Sequence, residues 1–157
     1  MELVITPRGN LQIDDASLRF KNFSGEPDMY TREGDRSFCV VIPTQEMADD
    51  LIERGWNVKI KPPREEGDDP FMYLKVKISY RFGGPRAYLI AGTARRELTE
   101  DTIGMLDHIE IESVDMDISP SDWTQPNGKS GRTAYLDSIH VVQRLDRFAA
   151  RYANSEE

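Results

Sequence analysis

At 157 residues, 38% of them hydrophobic, the chain is long enough to bury a core as one domain and too short for several. Its single cysteine, Cys39, excludes an internal disulfide, and no run approaches the length of a membrane span or a signal-peptide core. The net charge of -8 weighs against a polyanionic ligand, but the charge is segregated: Arg54 to Arg96 holds ten Lys or Arg against four Asp or Glu, whereas Glu97 to Asp122 holds nine acids and no Lys or Arg.

Asn10 to Phe23 reads as a first strand with an irregularity at Asp14-Asp15. Its second half puts Leu18 and Phe20 on one side and Arg19, Lys21 and Phe23 on the other. Ser24 to Asp35, with Gly25, Pro27 and Gly34, is a loop; it also carries Tyr30, Arg32 and Arg36 at its end, so a connection or an arm closing over a ligand are both open. Arg36 to Ile42 is a buried strand holding Cys39, which reads as a structural thiol in a reducing compartment. Pro43-Thr44 starts a helix to about Arg54, with Met47, Ala48, Leu51 and Ile52 as its apolar stripe and Gly55 as its stop. Trp56 to Lys61 is a strand with Val58 and Ile60 inward and Lys59 and Lys61 outward, and Pro62 to Pro70 is a surface loop.

Phe71 to Phe82, FMYLKVKISYRF, alternates with a period of two. Met72, Leu74, Val76, Ile78 and Tyr80 can seal a core, while Tyr73, Lys75, Lys77, Ser79 and Arg81 face the other way. Cations that follow phosphates and a ring on which a base stacks suit a single-stranded nucleic acid. The same face also suits plain solubility. Gly83-Gly84-Pro85 then turns the chain into Arg86 to Thr93, a hairpin partner. If these strands are neighbours, the outward cations of Lys59 to Arg86 form one patch.

Thr99 to Leu106 is a capped helical turn. Ile109 to Ile118 changes phase, which places a bulge near Glu112-Ser113, and Arg132 to Val142 has its own break near Asp137-Ser138. Between them Pro120 to Gly131 is a loop or long hairpin tip bearing Trp123 and Lys129. Leu145, Phe148, Ala149 and Tyr152 sit at helical spacing, and 154–157 is a frayed tail. About seven strands, phase breaks and short helices favour a small, closed or nearly closed antiparallel barrel.

Catalytic chemistry is sparse. His108 and His140 belong to no metal or nucleophile motif, and Asp115-x-Asp117 offers two carboxylates on one side of a strand with no third ligand evident. Gly83-Gly84 lacks the lysine and helix of a phosphate loop.

The succession FKNF, TREGDRSFCVVIP, GWNVK, PFMYLKVKISY, DTIGMLDHIEIESVDMDISPSDW and NGKSGRTAYLDSIHVV, over residues 15 to 143, resembles small phage-encoded single-stranded DNA-binding proteins with an OB-type barrel. The resemblance implies coating of single strands in replication or recombination, without catalysis. Two features depart from it: the helix is not read between a third and fourth strand, and the chain ends ANSEE rather than in an acidic tail closed by an aromatic residue, so recruitment through such a tail is not expected.

The expectation is therefore a mainly β, OB-like antiparallel barrel of about five to seven strands with one or two short helices, one domain over 1–153. Lys59, Lys61, Lys75, Lys77 and Arg81 are expected to hold phosphates, Arg19 and Lys21 to extend the track, and Tyr73, Trp123 and Phe23 to stack bases. Lys129 and Arg132 are expected to grip from the hairpin. Single-stranded DNA is the expected partner, with replication or recombination proteins and self-association left open; no cofactor, metal or membrane is expected, and the bacterial host cytoplasm is the expected location. A phage connector or tail barrel, whose exposed rings anchor an interface, is the alternative, followed by a metal-dependent nuclease.

Overall fold

The computed structural model describes residues 1–29 and 32–145. Tyr30, the expected helix beyond Leu145 and the tail at 154–157 lie outside them. The described strands are β1 (Glu2–Ile5), β2 (Leu11–Asp14), β3 (Leu18–Asn22), β4 (Arg36–Val41), β5 (Val58–Lys61), β6 (Phe71–Ile78), β7 (Arg86–Ala91), β8 (Ala94–Leu98), β9 (Ile111–Thr124) and β10 (Ser130–Gln143). One helix, α1 (Gln45–Glu53), and a 3-10 turn at Ile103–Asp107 complete them. Mainly β is correct; the expected five to seven strands become ten among the described residues.

The sheet runs β1-β2-β9-β10-β6-β4-β3. The kinked segment of β2 and β3 therefore occupies both sides of the path, with Leu11–Asp14 beside β9 and Leu18–Asn22 beside β4. Counted as one bent strand, followed by β4, β6, β9 and β10, it gives the order one-two-three-five-four-one of a Greek-key OB barrel. Among the described residues the ladder itself is not closed. At the kink Asp15 takes a left-handed φ of 55°, and the Ala16 amide donates to Val114 while the Val41 amide donates to Ser17. The helix lies between the second and third strands of that order, and β7, β8 and the 3-10 turn are inserted between the third and fourth.

The barrel is not wholly antiparallel. β6 and β7 follow one another along the same edge of β10 and pair with it in parallel, at Val76–Lys77 and Arg86–Ile90. This overturns the hairpin expected between β6 and the segment at 86–93: β7 pairs with β8 and β10, and Arg86 lies away from the lysines of β6. β5 shares the β10 edge of β6, opposite Phe71 to Leu74. Ile60 is on the core side there, yet as part of a short edge strand it stays 44% exposed.

Two expected bulges are present. The β9–β10 register skips Glu112 and, on the other strand, Asp137. The segment at 120–131 is mostly ladder rather than loop, since pairing continues to Thr124 and Ser130. α1 is capped by Thr44, whose Oγ1 accepts from the Met47 amide at 3.2 Å, and it lays Ala48 and Leu51 on the core. The interior joins Met72, Leu74, Val76 and Ile78 of β6 to Phe38, Val40, Val114, Met116, Ile118, Ile139 and Val141. β6 thus keeps one face dry, which fixes the orientation of the other.

Candidate nucleic-acid interface

Cross-strand partners share a face, so the register assembles the outer surface row by row. One row reads Asn22, Ser37, Lys77, Tyr135, Ser119 across five strands. The next on β6 reads Arg19, Cys39, Lys75, and the one after it Val41, Tyr73, Lys59. Lys61 stands opposite Phe71. Lys59, Lys61, Tyr73, Lys75, Lys77 and Arg19 therefore do share one face. Arg81 follows the end of β6 and lines the groove that contains Lys75 and Lys77.

The strongest feature of this face was not anticipated. Between Arg19 and Asn22 the β3–β4 register slips, and Phe20 takes a left-handed φ of 53°. Such a bulge reverses the phase of the strand. Phe20 leaves the core side and stands 64% exposed, 6.2 Å from the Phe71 ring and 6.3 Å from the Tyr73 ring, both edge-on. Phe71 and Tyr73 stack at 5.3 Å. The Lys61 ammonium lies 5.8 Å from the Phe20 centroid and 5.7 Å from that of Tyr73. Three rings and a cation thus form one platform.

The same slip turns Phe23 inward, which corrects its expected stacking role. Phe23 is 0% exposed and stacks on Phe38 at 5.2 Å, so its ring seals the core and meets no base. Lys21 is also diverted, its Nζ donating to the Leu106 carbonyl at 2.9 Å. It borders the groove as a strut to the 3-10 turn rather than as an extension of the lysine row. Asp107, at the end of that turn, accepts from the Phe23 and Ser24 amides at 2.8 and 3.0 Å. Asn22 accepts from the amides of Gly25 and Glu26 and fixes the turn between.

At the hairpin the expected residues separate. Trp123 pairs with Gly131, and the alternation Trp123, Ser121, Ser119 keeps it on the face of Lys77 and Tyr135. It is 37% exposed and lies flat over Gly131, where an added Cβ would come within 2.5 Å of the ring. Lys129 is exposed at the tip. Arg132 is a correction: it points to the opposite face, 5.1 Å from the Trp56 ring, with Nε and Nη2 donating to Asp122 at 2.6 and 3.2 Å and Nη1 to the Arg54 carbonyl at 2.8 Å. This pairing holds the Asp122 carboxyl below its usual range, and Arg132 is a strut between hairpin and α1.

Grooves run continuously over the face. One beside Arg19 and Phe71 shares Phe20 and Lys61 with a second, which is walled by Glu26, Pro27 and Asp28. The second shares Ser37 and Lys75 with a third that reaches Lys77, Arg81 and Tyr135. Among the described residues the ion pairs are Arg36–Glu100, Arg54–Asp50 and Arg132–Asp122, and none takes a lysine of this face. Cys39 lies on the groove floor, only 7% exposed; burial pushes its thiol pKa up, and Lys75 and Lys61 oppose that shift.

The carboxylates considered for a metal are otherwise engaged. Asp115 accepts from the Asp15 amide at 2.9 Å and Asp117 from the Ser138 hydroxyl at 3.0 Å. Among the described residues no group of three or more His, Cys, Asp or Glu is gathered for a metal, and no helix is long and apolar enough to cross a membrane.

The fold is similar to that of the C-terminally truncated single-stranded DNA-binding protein of bacteriophage Enc34, with a TM-score of 0.57 and 16% identity over 92% of this chain and 91% of that one. The Enc34 protein in complex with single-stranded DNA is similar too, at a TM-score of 0.55 and 17% identity over 93% of each chain. No curated protein matches. At these identities the structures speak for the fold, whereas the family model described as "Putative phage ssDNA-binding domain" matches residues 2–157, and the chain belongs to that family of phage single-stranded DNA-binding domains.

Proposed function

We propose that the chain binds single-stranded DNA with little sequence preference along the outer face of β3, β4, β5 and β6, coating exposed strands during phage replication or recombination in the host cytoplasm, without catalysis of its own. The observation that carries this reading is the Phe20–Phe71–Tyr73 platform beneath Lys61, continuous with Lys75 and Lys77, which form no ion pair among the described residues. Every base has a π face, so rings supply affinity without reading sequence, at about 1 to 3 kcal/mol per base. Phosphates meet Lys59, Lys61, Lys75, Lys77 and Arg81, with Arg19 at the margin. A duplex hides its base faces and cannot use the platform.

Fluorescence anisotropy with a labelled oligo-dT, repeated with a duplex of the same length, tests the proposal. Tight, salt-sensitive binding of the single strand and much weaker binding of the duplex are expected. Equal affinity for both would overturn it.

A further inference from the structure

The most exposed large hydrophobic side chain among the described residues is not on the platform. It is Phe82, 93% exposed in the turn between β6 and β7. A bare ring in water is unfavourable, and among the described residues this one stacks on no other ring. The turn is well defined: Gly83 and Gly84 take φ of 92° and 74°, and a Cβ on Gly84 would fall 2.2 Å from the Tyr80 ring. The Arg81 amide, just before the ring, donates to the Ser79 hydroxyl at 3.3 Å.

Phe82, Arg81 and Tyr135 line a groove with Ser79, Ser119 and Ser121. It shares Ser79, Arg81 and Tyr135 with the groove that holds Lys75 and Lys77. Among the described residues that line it, the one carboxylate is Asp137, which accepts from the Ser119 hydroxyl at 2.8 Å. At the far end of the lysine row two rings and a cation therefore line one groove. Arg81 lines both grooves.

We infer that Phe82 and Tyr135 form a second base-stacking subsite, so that one DNA strand is held at both ends of the Lys75–Lys77 row. This rests on the proposed single-strand binding and adds to it a length dependence. An oligonucleotide that fills only the platform does not sense Phe82, while a longer one does.

The test measures affinity by anisotropy for oligo-dT lengths from about 4 to about 16 nucleotides, the span of sites on one barrel of this type. Wild type, Phe82→Ala and Phe82→Tyr are compared. Wild-type affinity is expected to rise until both subsites are filled; Phe82→Ala follows it for the shortest oligomers and then falls behind by about five-fold or more, the lower limit for one stacked base. Phe82→Tyr restores the wild-type curve. Superimposed curves for Phe82→Ala and wild type at every length overturn the second subsite and leave the platform standing, as they would if Phe82 served a protein partner instead. A wild-type protein that binds no length overturns both.

Discussion

Two outer surfaces of this barrel carry rings beside cations, and only one resembles a nucleic-acid track. On the β3–β6 side, Phe20, Phe71 and Tyr73 lie next to four lysines that form no ion pair among the described residues. On the β7–β8 side, Tyr88 stacks on His140 at 4.9 Å, and the Arg95 guanidinium lies 4.1 Å from the Tyr88 centroid, closer than Lys61 is to either ring it covers. The neighbours differ. The register sets Asp115, His140, Tyr88 and Glu97 in one row, so a phosphate arriving at Tyr88 meets a carboxylate on either flank. A ring with a cation is therefore not enough; the sign of the surrounding field decides which ring a polyanion reaches.

The bulge at Asp137 draws the boundary. Before it, Thr133 and Tyr135 face the lysines; after it, Ser138 and His140 take the outer positions and face the acids of β9. One residue thus separates a basic face from an acidic one along a single strand. The acidic side keeps the net charge negative while lying off the lysine face.

The comparison is broken most directly at Tyr73. Tyr73→Ala is expected to weaken oligo-dT binding by about 1 to 3 kcal/mol in an anisotropy titration, with little change in the denaturation midpoint. Replacing Lys75 and Lys77 by Gln together acts on the other component: the slope of log affinity against log salt is expected to fall by about 1.4, or about 0.7 for each single-strand phosphate that is no longer neutralised. An unaltered slope would place the phosphates elsewhere.

Phe20→Gly sharpens the same contrast by separating binding from folding. The left-handed backbone at Phe20 costs about 1 kcal/mol for a residue with a Cβ, and glycine relieves that while losing about 0.5 to 1 kcal/mol to chain entropy. Stability is expected to stay within about 0.5 kcal/mol by urea denaturation, while DNA affinity falls by an amount nearer the lower end of the stacking range. A variant that loses stability and keeps affinity would make Phe20 a structural residue.

Why Phe20 rather than Phe23 faces the groove was not legible from the sequence. Strict alternation places residues three apart on opposite sides, but it does not say which is inside. That choice is made by Asp107, 84 residues away, which holds the Phe23 amide, and by the Asn22 side chain, which closes the turn. Arg132 differs for a related reason: beside its hairpin partner Asp122 it also donates to the Arg54 carbonyl, 78 residues distant, which draws it toward α1. In contrast, β6 and the bulges at Glu112 and Asp137 were legible, because a phase change in a run of alternating residues is a local signal. The pairing of β7 with β10 left no local trace, and the adjacent Gly-Gly-Pro turn pointed to a hairpin that does not form.

A smaller effect is expected under the groove floor. Tyr80 packs beneath the Arg36 guanidinium at 5.3 Å, and its buried hydroxyl has no hydrogen-bond partner among the described residues. Burial raises its pKa, with Arg36 opposing. Tyr80→Phe removes the unsatisfied group and is expected to leave stability equal or raise it by up to about 1 kcal/mol. In the wild type, the unfolded chain releases the phenolic proton first as pH passes about 10, so this tyrosine lowers stability there; in the variant that contribution to alkaline destabilisation disappears.

The smallest expected effect tests the contrast from its other side. Tyr88→Ala removes a ring that stacks on His140 and sits under Arg95, as favourable to a base by geometry alone as Tyr73. If affinity followed rings and nearby cations only, this variant would lose as much as Tyr73→Ala. With Asp115 and Glu97 on either flank, it is expected to bind oligo-dT within about two-fold of wild type, well below the loss of one stacked base. A loss of five-fold or more would mean that the strand continues past the Asp137 bulge onto the acidic face. The boundary set by the field would then have to be abandoned, even if the platform at Tyr73 survived its own test.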